Sequence, residues 1–181
     1  MSAALWKLEG VTLAGRRSPR LEDVSLELQP GITAVLGHSG AGKTSLLNLL
    51  VGFERPDRGE IETLVPSEKG RLSLFWVPQT GGLWPHLSAG EHLAVVAGTG
   101  DSREPNGLLD AFDLHDLADR LPSTLSQGER ARLAVARALA SRARVLVMDE
   151  PLVHVDPARV GAYRQVVFDW CQRYDISLVI A

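Results

Sequence analysis

Apolar and polar positions change their spacing several times along the chain. Leu5 to Leu13 reads as a short strand, and Leu21 to Leu28 as a second with alternating apolar residues. The polar stretch Gly15-Arg16-Arg17-Ser18-Pro19-Arg20 between them predicts a turn or loop. Pro30-Gly31 marks another turn, and Ile32 to Leu36 is a short apolar run of the kind that forms a buried strand. A Gly-rich loop follows, then Thr44 to Val51 predicts an apolar helix ended by Gly52. Pro56-Asp57-Arg58-Gly59 predicts a turn, and Leu72 to Val77 a strand stopped by Pro78.

From about Gly81 to Leu125 the strand signals fade. Helix-like segments stand at Glu91–Ala97, Gly107–Phe112 and Leu114–Leu121, with a loop at Gly98-Thr99-Gly100-Asp101-Ser102. Ser126 to Ala140 predicts a helix with a small apolar face and arginines at 130, 132 and 137. Val145 to Met148 predicts a buried strand, Pro157 to Tyr174 a helix and Ile176 to Ala181 a final strand. No internal repeat or low-complexity tract interrupts this order. Strands apolar throughout, alternating with helices, argue for an α/β sheet covered by helices.

Composition narrows the function classes. The 181 residues suffice for one domain with a sizeable core, and 45% hydrophobic content is that of an ordinary globular protein. A net charge of −3 supplies no electrostatic case for nucleic acid as a partner. The single cysteine, Cys171, admits no internal disulfide and fits a small buried hydrophobe in a reducing compartment. No apolar run approaches the ~20 residues that span a bilayer, and the first residues lack a secretory pattern. The expectation is a soluble cytoplasmic chain whose membrane attachment, if any, comes through a partner.

The strongest chemical signal is Gly37-His38-Ser39-Gly40-Ala41-Gly42-Lys43-Thr44, which fits G-x-x-x-x-G-K-[ST] at every fixed position. Glycines let the backbone curl so that its N–H groups face one point, a nest for a phosphate. The helix that follows, through Ser45, adds the positive end of its dipole. In this motif Lys43 reaches the β- and γ-phosphates and the Thr44 hydroxyl ligates Mg²⁺. A second signal is the apolar strand Val145-Leu146-Val147-Met148 delivering Asp149 and Glu150. Asp149 suits the Mg²⁺ shell. Strand alternation sends Glu150 to the opposite side, where it suits the polarisation of an attacking water.

Leu125-Ser126-Gln127-Gly128-Glu129, just before a predicted helix, closely resembles the LSGGQ signature of ABC ATPases. The remaining motifs fall in that family's order: Gln79 in the Q-loop position, Asp149-Glu150-Pro151, and Asp156 in the D-loop position. The resemblance covers essentially the whole chain. It implies a P-loop NTPase core at about 1–80 and 130–181, with a helical subdomain at about 81–129. It implies ATP and Mg²⁺ as cofactors, with Gln79 completing the Mg²⁺ shell and sensing the γ-phosphate. It implies a second ABC ATPase domain as partner, paired head to tail so that Ser126 and Gly128 cap the other domain's nucleotide. It further implies permease subunits and a location at the inner face of the membrane.

The chain departs from the family at four places. No aromatic stands near Ala14–Gly15, where one usually stacks on adenine, and Trp6 reads as core. Glu129 replaces the usual glutamine and adds negative charge unless Arg130 or Arg132 compensates. Leu152-Val153-His154-Val155 replaces the usual residues before Asp156. The family's switch histidine follows the strand that here is Ile176 to Ala181, so the sequence reads as a fragment cut before it; His154 is not in its place.

Gln79-Thr80-Gly81-Gly82-Leu83-Trp84-Pro85-His86-Leu87 resembles the Q-loop exit of importer-type ATPases, with Leu83 and Trp84 as exposed anchors for a membrane partner. His86 has no second ligand at metal spacing. The leading expectation is a transporter ATPase. The alternatives are a non-transport ABC ATPase of DNA repair or translation, and a nucleotide-gated module with little hydrolysis.

Overall fold

The computed structural model describes residues 4–97 and 103–181, residues 103–106 by their backbone alone. The loop expected at 98–102 lies outside the described residues. Three strands, β1 (Trp6–Leu13), β2 (Leu21–Leu28) and β4 (Arg58–Thr63), form an antiparallel sheet in the order β2-β1-β4. Four others, β3 (Ile32–Ala34), β5 (Leu74–Val77), β6 (Val145–Met148) and β7 (Ser177–Ile180), form a parallel sheet in the order β3-β7-β6-β5. Helix α1 (Lys43–Leu50) follows β3. Then come α2 (Ala89–Ala97), α3 (Arg103–Ala111), α4 (Gln127–Ala140) and α5 (Pro157–Arg173).

The uninterrupted apolar run of β6 has a direct structural cause. Val145 and Val147 face one core, with Trp6, Leu8, Val11 and the α1 residues Leu47 and Leu50. Leu146 and Met148 face the other, with Leu93, Phe112, Leu133, Leu139 and Val167 of the surrounding helices. All four strand residues are fully buried, as parallel strands covered on both faces must be. Each large side chain so buried is worth roughly 1.5–3 kcal/mol of transfer free energy. Trp6, expected in the core, is buried and satisfies its indole N–H by donating to the Leu50 carbonyl at 2.9 Å.

Three expectations need correction. The turn at 56–59 ends earlier than its glycine suggests, because Arg58 and Gly59 open β4. That strand, Arg-Gly-Glu-Ile-Glu-Thr, is mostly exposed on a sheet edge, so its sequence lacks an apolar signature. The run Ile32–Leu36 forms a strand only to Ala34 and is not buried: Ile32 is 53% and Leu36 89% exposed. It is the outer strand of the parallel sheet, paired on one side only. Leu114–Leu121 is not an α-helix but a 3₁₀ turn at His115–Leu117, held by i→i+3 bonds such as Leu117 N–H to the Leu114 carbonyl. Asp113, at φ 51, breaks the helical run just before it.

Candidate phosphate and metal site

The parallel strands place their carboxyl ends together, where ligands of such sheets bind. Gly37 to Gly42 loop out after β3. Gly42 takes φ 92, in the left-handed region that side chains disfavour. A Cβ there would lie 2.5 Å from the Arg20 carbonyl oxygen and 2.9 Å from Leu21 Cδ2. The approach of β2 therefore requires glycine. Gly42 is also the N-cap of α1, which has neither a side-chain cap nor an acidic residue in its first turn. By contrast, Ser126 caps α4 and Asp156 caps α5. The opening amides of α1 thus keep their positive end available to an anion.

Lys43 and Thr44, the first residues of α1, meet the ends of the neighbouring strands. Lys43 Nζ donates to the carbonyls of Gly37 at 3.2 Å and His38 at 3.4 Å, and lies 3.9 Å from Glu150 Oε1. Thr44 Oγ1 donates to Asp149 Oδ2 at 2.7 Å. Ser39, Gly40 and Ala41 are exposed at the loop tip, while Ser45 is buried behind it. Asp149 is 1% exposed, and its other oxygen, Oδ1, has no hydrogen-bond partner. A buried carboxylate oxygen is seldom left bare. Beside a threonine hydroxyl it is the donor chemistry of a hard cation. Among the described residues no group of three or more His, Cys, Asp or Glu could hold a metal. The Thr44 hydroxyl and the bare Asp149 oxygen fit Mg²⁺, a cation that takes few protein ligands and completes its shell with phosphate and water.

The opposite-side expectation for Glu150 fails. Glu150 lies beyond the end of β6 at φ 45, so strand alternation no longer governs it. The two carboxylates converge on consecutive residues, Lys43 and Thr44. Glu150 N–H donates to the Ala181 carbonyl at 3.1 Å, which brings the end of β7 beside it. Its Oε2 accepts from Gln79 Nε2 at 3.0 Å. A cavity of about 160 Å³ opens beside Gln79 and Glu150, lined also by Gln127, Arg130, Val153 and His154.

The remaining expected site residues, Ser126, Gly128 and Asp156, make local contacts. Among the described residues no hydrogen bond or ion pair joins Ser126, Gly128 or Asp156 to residues 37–44. Ser126 Oγ accepts from Glu129 N–H at 3.2 Å, and Glu129 Oε2 accepts from Ser126 N–H at 2.7 Å, a closed capping box. These bonds from Ser126 hold the Glu129 carboxyl below its usual range. Its charge is therefore engaged locally, whereas Arg132 donates to the carbonyls of Phe112 and Asp113. A Cβ at Gly128 would lie 2.9 Å from the His154 carbonyl oxygen, so that position too requires glycine. Asp156 Oδ1 accepts from Ala158 N–H at 2.9 Å.

Trp84 is 36% exposed, as an anchor requires, but Leu83 packs against the helical core. The Trp84 amide donates to His92 Nε2 at 2.9 Å, and the rings stack at 5.4 Å. His92 Nδ1 lies 2.7 Å from the Ser88 carbonyl, so it carries the proton. The sequence alone assigned no role to His92 or to the buried Arg137. Arg137 sits three residues after Ala134 and four after Leu133, on the apolar stripe of α4. A charge on that stripe was the available signal.

The family model described as ABC transporter matches residues 21–153. A molybdenum import ATP-binding protein of Paramagnetospirillum magneticum is 36% identical over 173 residues, covering 87% of this chain and 47% of that protein. An Fe(3+) ions import ATP-binding protein of Pseudomonas fluorescens is 37% identical over 164 residues, covering 82% of this chain and 46% of that protein. The chain spans about half the length of the curated relatives it matches. An ABC transporter solved in an inward-facing conformation aligns with a TM-score of 0.76 at 26% identity, covering 99% of this chain and 73% of that one.

Proposed function

The chain belongs to the ABC transporter family, and from that premise we propose that it is the ATP-hydrolysing domain of an importer-type transporter. The observation that carries the reading is the bond from Thr44 to Asp149 at 2.7 Å, with Asp149 Oδ1 left bare beside it. The uncapped start of α1 receives the phosphates, and Lys43 turns from the loop carbonyls to neutralise them. Thr44 and Asp149 hold Mg²⁺, with Gln79 able to contribute its amide oxygen. When bound, the ion supplies Lewis-acid stabilisation of phosphoryl oxygens. A water attacks the γ-phosphorus, the bond to the bridging oxygen of ADP breaks, and the water's proton passes to the Glu150 carboxylate. Gln79 fixes that carboxylate through its amide N–H.

Ser126 and Gly128 act on the nucleotide of a second such domain, in a head-to-tail pair. The bonds of Ser126 are local to the start of its own helix, and among the described residues none reaches residues 37–44, which supports that assignment. Trp84 faces permease subunits at the inner side of the membrane, and the naming of the relatives as import proteins supports the direction of transport. Among the described residues no helix is long and apolar enough to cross a membrane. Single-turnover hydrolysis of Mg²⁺-ATP by the full-length protein tests the reading. Tight ATP binding without phosphate release would overturn it.

A further inference from the structure

Arg137 on α4 is 3% exposed, yet no carboxylate is paired with it among the described residues. Burial pushes its guanidinium down to about 10, still charged at neutral pH. Packing alone would be served there by an apolar side chain of similar length. The charge is instead held by two backbone carbonyls: one terminal nitrogen donates to Gly82 at 2.7 Å, the other to Gly81 at 2.9 Å. The guanidinium also lies over the rings of Trp84, at 4.7 Å, and Phe75, at 5.4 Å. A planar fork spans two adjacent carbonyls in a way an ammonium cannot.

Those carbonyls end the turn that carries Gln79. The Gly81 N–H donates to the Pro78 carbonyl at 2.7 Å, closing Pro78 to Gly81 into a loop with Gln79 at its tip. Gln79 in turn reaches Glu150. One end of this loop is continuous with β5 through the buried Val77, and the other is gripped by Arg137. We propose that Arg137 is a positioning residue for hydrolysis, fixing the Pro78–Gly82 turn so that Gln79 meets Glu150; this rests on the ATPase reading above. Arg137 bonds the Gly81 and Gly82 carbonyls and so acts through the turn. Its effect falls on the geometry of the Gln79–Glu150 pair and leaves the phosphate loop alone.

The test is steady-state ATP hydrolysis by the full-length protein with Arg137→Lys, Arg137→Met, Gln79→Ala and the double variant Arg137→Lys/Gln79→Ala. Wild-type turnover is measured first, since its absence would sink the ATPase reading and not this one. Arg137→Lys is expected to keep the charge and the KM for ATP while kcat falls roughly 10- to 100-fold, as small misplacements do. Because Arg137 acts through Gln79, the double variant should be no slower than Gln79→Ala alone. Additive losses in the double variant overturn the proposal, as does wild-type kcat in Arg137→Lys. Loss of thermal stability in both Arg137 variants that accounts for their lost activity also overturns it, leaving only a structural role.

Discussion

Thr44 and Asp149 are 105 positions apart in the chain, yet the threonine hydroxyl donates to the carboxylate at 2.7 Å. The bond ties the first turn of α1 to the end of β6, the most buried strand. It leaves Asp149 with one satisfied oxygen and one bare. A carboxylate in that state is poised to gain a cation, because the hydroxyl can turn its lone pair towards a metal once the proton is directed elsewhere.

Asp149→Asn should therefore weaken Mg²⁺-dependent nucleotide binding. The loss should be at least the roughly 10- to 100-fold that outer-shell partners of a metal are worth. Binding of metal-free ATP should change little. A titration in which the substitution leaves the Mg²⁺ dependence intact excludes Asp149 as a ligand.

Lys43→Ala removes the ammonium at the opening of α1 and should abolish detectable ATP binding. The amides of the loop remain, but the charge that neutralises the phosphates does not. Unchanged affinity in a nucleotide titration would sink the phosphate-loop assignment.

Glu150→Gln should preserve ATP binding and slow hydrolysis roughly 10²- to 10⁴-fold, the usual worth of a positioned base. The amide can still pair with Gln79 but cannot take a proton from water. A reduction smaller than about tenfold would assign the base elsewhere.

Ser126→Arg should leave ATP binding to the single domain intact while blocking ATP-driven pairing. Mixed with Lys43→Ala protein, it yields one composite site carrying both defects and one carrying neither. Pairing in the mixture, absent from either variant alone, is the expected result in sedimentation. No difference between mixture and separate variants counts against the head-to-tail arrangement.

His92 predicts an acid sensitivity with a definite sign. Burial pushes its pKa down from 6.5, so the folded protein holds it neutral while the unfolded chain protonates it first. Below about pH 6.5 the unfolded state binds more protons, and stability falls as pH falls. The thermal midpoint should drop between pH 7.5 and about 5, above the carboxylate range. His92→Gln should flatten that slope, although its midpoint at neutral pH is lower. An unchanged slope would show that His92 does not set it.

Local features were legible because they depend on neighbours in the chain. The glycines of the phosphate loop, the Ser126 cap and the apolar run Val145–Met148 each answer to a constraint acting over a few residues. The same reasoning failed at β4, whose exposed edge carries no apolar pattern, and at β3, whose apolar run sits on an outer strand. Periodicity reports how apolar a segment is and says nothing of its rank in a sheet.

The composition of the site was therefore set by sequence, down to Lys43, Thr44, Asp149, Glu150 and Gln79. Their arrangement was not. The strand order β3-β7-β6-β5 gathers the ends of β5 and β6 with the loop after β3. That order makes Thr44 meet Asp149, Gln79 meet Glu150, and both carboxylates converge where strand alternation had them diverge. Arg137 shows the same division. A charge on an apolar stripe was visible, but the carbonyls that hold it lie 55 and 56 positions away. Hydrogen bonds of that span persist only where packing of the helices on the sheet offsets the entropic cost of loop closure.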